Sequence, residues 1–155
     1  MTDQAAALLP EAAQRTLETM FFAVPDAISA SARRPAGDLI AAVLTFRGSP
    51  YGSFGLLVSE PLAHVLAANF FGCDESSAMA SGHVTGVVAE LTNMICGAAL
   101  TKLATGAAFD LAAPKTFRIA GNEPEPAFTS GSPCICRLEF PEGALVLFLS
   151  FEAGV

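Results

Sequence analysis

Apolar residues recur at helical spacing between Pro10 and Ala23, where Ala13, Leu17, Met20 and Phe21 mark one face of an amphipathic helix that Val24-Pro25 interrupts. Residues 1–9 are expected to form a mobile tail or the start of that helix. The period then shortens. Leu39 to Phe46 and Ser53 to Val58 are short β-branched and apolar runs, and the Gly48-Ser49-Pro50-Tyr51-Gly52 segment between them has the composition of a hairpin loop. Ser59-Glu60-Pro61 offers an N-cap, a first-turn acid and an early proline to a second helix ending near Phe71-Gly72. A polar connector, Cys73 to Gly82, leads to a third helical run from Val84 to Ala104. Three strands are expected after it: Lys115 to Ala120, Cys134 to Phe140 and Ala144 to Phe151. Pro141-Glu142-Gly143 joins the last two tightly, and the Gly121 to Pro126 stretch with its Ser/Gly-rich tail reads as a surface loop. The order α-β-β-α-α-β-β-β predicts one α+β domain over residues 1–155, with helices on a mainly antiparallel sheet.

The third helix carries the candidate chemistry. At about 100° per residue, Gly86, Glu90, Asn93 and Gly97 fall on one narrow stripe, while Val87, Val88, Leu91, Ile95, Ala98 and Leu103 occupy most of the rest of the circumference. A helix apolar nearly all round is expected to be buried, so the polar stripe either satisfies internal backbone groups or faces an opening where another molecule docks. Each glycine costs about 1 kcal/mol of helix stability relative to alanine, which calls for a reason. Gly97 is compatible with a close helix crossing and equally with close approach of a partner.

Composition narrows the alternatives. The chain has 155 residues, enough for one domain, and 52% of them are hydrophobic against 15% charged. That surplus predicts a large core, an oligomer interface or both, and a homodimer through strands or the first helix is the expected form. No run approaches the roughly 20 consecutive apolar residues that span a bilayer, and the N-terminus lacks the basic start of a secretory signal, so the cytoplasm and no membrane partner are expected. Eight basic and fifteen acidic residues give a net charge of −7, with Arg33-Arg34 as an isolated basic pair, which argues against nucleic acid. Cys73, Cys96, Cys134 and Cys136 lack paired C-x-x-C spacing and are read as reduced core residues, with no metal site. His64 and His83 have no ligand-spaced neighbours and are read as surface or capping residues. Phe21, Phe22, Phe70 and Phe71 are read as core, with one of each pair a candidate for an interface.

The segment Glu90-Leu91-Thr92-Asn93-Met94-Ile95-Cys96-Gly97, with Pro114 some twenty residues on, resembles the signature of the CheC/CheX chemotaxis phosphatases. One E-x-x-N helix and no internal repeat make the chain similar to the single-motif, CheX-like members. Gly86 stands where members usually carry Asp or Ser, and Pro114 comes slightly early. The resemblance implies a phosphatase acting on the aspartyl phosphate of a CheY-type response regulator. Glu90 and Asn93 would then be catalytic, and Gly86, Met94 and Gly97 would meet the partner. It implies no cofactor on this chain and Mg2+ carried by the receiver. The alternatives are a non-catalytic binding module for a receiver or a flagellar switch-type assembly, and a small-ligand sensor.

Overall fold

The computed structural model describes residues 2–49, 51–74, 77, 80, 82–104, 106–124 and 133–152. Helix α1 spans Thr2–Met20, so residues 2–9 begin the first helix and are not a loose tail. The reason is that Ala5 and Leu9 continue upstream the buried face formed by Ala12, Ala13 and Leu17, which holds the helix together across Pro10. Helix α2 spans Glu60–Phe71 and α3 spans Val84–Leu103. Residues 75, 76, 78, 79 and 81 of the expected connector, and 125–132 of the expected loop tail, lie outside the described residues.

The strands are β1 Ala27–Ser29, β2 Leu39–Arg47, β3 Gly52–Ser59, β4 Asp110–Leu111, β5 Lys115–Ile119, β6 Cys134–Phe140 and β7 Gly143–Phe151. They form one sheet in the order β1-β6-β7-β3-β2-β4, with β5 also on β2, and all the pairings are antiparallel. The α+β expectation therefore holds. The strands β1 and β4 were not expected. Both are too short to show a period, and they exist because a neighbouring strand supplies the pairing, Leu138 opposite Ile28 and Phe46 opposite Leu111.

The helices cover one face of the sheet. Leu17 of α1, Leu66 of α2 and Leu91 and Ile95 of α3 share a cluster with Ile40, Leu56, Leu147 and Cys136 of the sheet. The opposite face carries a smaller buried cluster of Leu39, Ala41, Leu57, Ile119 and Val146, which explains why β2 and β3 are apolar almost throughout and do not alternate. Beside it, Arg34 donates to the Ala120 carbonyl at 3.0 Å, Asp38 accepts from the Gly121 N–H at 2.9 Å, and the buried Arg137 donates to the Arg33 carbonyl. The segment from Arg33 to Asp38 is thereby tied both to the turn after β5 and to β6.

Helix ends are set by local geometry. Gly72 closes α2 in the left-handed conformation at φ 67°, and the Cys73 N–H returns to the Ala68 carbonyl at 3.0 Å. Ser59 occupies the N-cap position of α2, but its hydroxyl makes no capping hydrogen bond. It is buried against Gly143, where a Cβ would overlap its oxygen, so the tight β6–β7 turn decides the fate of that side chain. Of the four phenylalanines read as core, Phe21 is fully buried and stacks on Phe70 with ring centroids 5.2 Å apart, whereas Phe22 is 73% exposed. Replacing Phe21 with alanine should cost about 3–5 kcal/mol of stability through lost burial and a residual cavity, measured as a shift in the urea unfolding midpoint.

Candidate functional site

By length and composition α3 could cross a membrane, with a mean hydropathy of 1.4 over its most apolar window, yet half of that window is buried inside the fold. Its buried residues include Val84, Val87, Val88, Leu91, Ile95 and Ala99. That burial fixes the rotation of the helix. The stripe opposite is turned outward, with Gly86 and Glu90 exposed and Asn93 and Gly97 half-buried. Among the described residues, the Glu90 carboxylate and the Asn93 amide make no side-chain hydrogen bond or ion pair. The side chains of this helix that bond to its own backbone are Thr92, whose hydroxyl donates to the Val88 carbonyl at 2.7 Å, and Thr101, whose hydroxyl donates to the Gly97 carbonyl at 2.8 Å. An internal, backbone-satisfying role for Glu90 and Asn93 is thus not what the geometry provides.

Nothing lies within 4 Å of where a Cβ would stand on Gly86 or Gly97. Gly97 therefore does not serve a close helix crossing. Both glycines leave low, open surface on either side of the two polar side chains, compatible with close approach by another molecule. Met94 is half-buried and sits about 100° round the helix from Asn93, on the flank that faces α1. It lines a cavity of about 220 Å3 with Ala98 and Lys102 of α3 and with Ala12, Arg15, Thr16, Thr19 and Met20 of α1. At its far end the Lys102 Nζ donates to Glu11 Oε1 at 2.7 Å, and this contact holds the Glu11 carboxyl below its ordinary pKa. The two helices therefore run antiparallel beside the stripe.

The remaining sequence candidates are dispersed. His83 meets the edge of the Phe71 ring, with centroids 5.7 Å apart, and sits at the N-terminal boundary of α3 without a side-chain capping bond. Pro114 is half-buried in the segment between β4 and β5. Among the described residues no three His, Cys, Asp or Glu side chains gather in a group suited to a metal ion. Sequence reasoning put Met20 on the apolar face of the first helix and left open which of Phe21 and Phe22 lies in the core; Met20, Phe22 and Val24 are 43%, 73% and 64% exposed. The available signal was the Phe21-Phe22 pair itself, because neighbouring residues at a helix end point about 100° apart and one of the two can face outward.

Comparison with known proteins places this geometry in a family. The model of the family described as chemotaxis phosphatase CheX matches residues 40–136, and the chain belongs to the CheX family. No curated protein matches the chain. Among solved structures, the chemotaxis protein CheX of Vibrio vulnificus is 24% identical with a TM-score of 0.73, over 94% of this chain and 97% of that one. The CheX of Desulfovibrio desulfuricans is 19% identical with a TM-score of 0.71, over 96% and 99% of the two chains. A chain of the CheX-CheY-BeF3-Mg2+ complex from Borrelia burgdorferi is 18% identical with a TM-score of 0.72, over 94% and 96%. At these identities the likeness is one of fold.

All four cysteines are free thiols. Burial pushes the Cys96 thiol up to about 12 and the Cys136 thiol up to about 11, so neither is a thiolate near neutrality. A thiol-modifying reagent at pH 8 should label the half-buried Cys73 in the native protein and reach Cys96 and Cys136 only after unfolding, as peptide mapping of the adducts would report. Because the folded-state values lie above the ordinary 9.0, the unfolded chain loses these protons first. Stability should be unaffected by them below pH 9 and fall as pH rises from 9 toward 12, which thermal melts across that range would show.

Proposed function

We propose that this protein is a phosphatase that hydrolyses the aspartyl phosphate of a CheY-type response regulator and so ends a chemotactic or other two-component signal. The observation that carries the reading is the pair of outward-turned, internally unbonded groups, Glu90 and Asn93, one turn apart on a helix whose opposite side is sealed in the core. Membership in the CheX family supports it.

Hydrolysis of an acyl phosphate requires a water molecule in line with the P–O bond to the aspartyl carboxylate. The water oxygen bonds to phosphorus, the aspartyl oxygen leaves with the electron pair of the broken bond, and the water proton passes to the products or solvent. Charge on the phosphoryl oxygens is met by Mg2+ and a lysine of the receiver, so little is left to add except position. A carboxamide suits that task because it offers an acceptor and a donor at fixed separation and does not titrate. In this reading the Asn93 amide holds the attacking water. The Glu90 carboxylate pairs with the receiver lysine and sets the docking register, contributing orientation more than affinity. Gly86 and Gly97 let the phosphorylation site approach the helix. Met94 borders the contact. The chain itself needs no cofactor for this chemistry, and the metal arrives with the partner.

The test is decay of phosphate from receiver domains of the same genome in the presence of catalytic amounts of this protein. Faster loss with turnover is expected. Asn93→Ala should lower the rate by about two to four orders of magnitude while leaving the melting temperature and receiver binding in place. Receiver binding by the wild type without turnover would replace this reading with a binding module. Undiminished turnover in Asn93→Ala would remove the role assigned to the amide. Glu90→Gln should weaken receiver binding and make the remaining affinity less sensitive to salt, read in titrations at two ionic strengths.

A further inference from the structure

Two helices of this protein end with a residue in the left-handed conformation, and they do so with different chemistry. Helix α2 uses Gly72, the residue that meets no Cβ penalty there. Helix α1 is followed by Phe22 at φ 51°, the only positive-φ residue other than glycine among the described residues. The turn is specified by hydrogen bonds: the Leu17 carbonyl accepts from the Phe21 N–H at 3.1 Å and from the Ala23 N–H at 3.0 Å. Glycine would serve this turn better. A phenylalanine is unfavourable here in two independent ways, because its backbone sits in a region that L-residues avoid and its ring, 73% exposed, recovers little by packing. Met20 and Val24 beside it are also exposed, so the three make a local apolar surface. Strain kept where the folded chain gains nothing from it points to a contact made outside the chain.

The position of this surface identifies the partner. The Glu11–Lys102 ion pair sets the antiparallel register of α1 and α3, and Met20 shares a cavity with Met94, the chain neighbour of Asn93, so α1 ends beside the outward stripe and Phe22 follows two residues later. Packed helices lie about 8–10 Å apart, axis to axis. A protein interface of ordinary size buries about 800 Å2 on each side, a disc about 16 Å in radius, so a domain centred on Asn93 extends over the end of α1. We propose that Phe22, flanked by Met20 and Val24, is the apolar anchor on which the phosphorylated receiver docks. This rests on the reading of Glu90 and Asn93 given above and adds to it a residue that holds the partner without touching the reacting atoms.

The experiment titrates a receiver activated with beryllofluoride and Mg2+ against the wild type, Phe22→Gly and Asn93→Ala, with melting temperature, mass in solution and phosphatase kinetics recorded for each. Phe22→Gly is expected to hold or raise the melting temperature while weakening receiver binding at least about tenfold, the loss typical of a buried aromatic contact, and to raise KM by a similar factor with kcat little changed. Asn93→Ala is expected to keep the binding and lose kcat. Unchanged receiver affinity in Phe22→Gly overturns the anchor even if Asn93→Ala is inactive. Weaker binding accompanied by a lower melting temperature in both Phe22→Gly and Phe22→Leu also overturns it, since the ring would then be structural. A wild-type dimer that Phe22→Gly converts to monomer, with receiver affinity intact, assigns the surface to a second copy of this chain instead. If the wild type binds the receiver and does not turn it over, the catalytic reading fails while the binding data still decide the anchor.

Discussion

Burial of Val84, Val87, Val88, Leu91 and Ile95 in the main core is the constraint from which the candidate site follows. A helix can rotate about its axis only if its buried side chains can exchange neighbours, and a close-packed interior forbids that without opening voids. With one side fixed, the residues half a turn away are fixed as well. Glu90 and Asn93 are therefore held outward by residues that take no part in their chemistry. The glycines one turn above and below them complete the arrangement, because nothing in the fold fills the space over them.

The sheet matters to the site through its rigidity. Strands β2, β3, β7 and β6 pair along nearly their full lengths, and both faces are occupied, the helical face by the large cluster and the other by Leu39, Leu57 and Val146. Helix α1 then packs against α3 on this base. Its Glu11–Lys102 contact and the cavity near Met94 bring a second, apolar element alongside the polar stripe. A polar pair supplies orientation and an apolar neighbour supplies attraction, which is the usual division of labour in a protein interface.

Most of the element boundaries were legible in the sequence because they depend on local chemistry: apolar spacing in α1 and α3, the proline at the start of α2, Gly72 at its end and the short Pro141-Glu142 turn. The stripe was legible for the same reason, since helical angle alone gathers Gly86, Glu90, Asn93 and Gly97 on one side. Three features were not. The strands β1 and β4 are too short to carry a periodic signal and are created by pairing with β6 and β2. The extension of α1 back to Thr2 depends on Ala5 and Leu9 finding the core, which overrides the proline inside it. The separation of Phe21 from Phe22 depends on the left-handed turn that closes α1.

By itself the sequence determined the α+β class, the helix bearing the E-x-x-N pair, and the resemblance that the match to the CheX family agrees with. Only the tertiary structure decided which way that helix is turned, that Gly97 faces open space and not another helix, and which phenylalanine lies in the core. The physical reason is common to all three. Spacing along a helix gives the angle between side chains, but the direction of the stripe in space is set by what the opposite side packs against, and those partners come from strands distant in the chain.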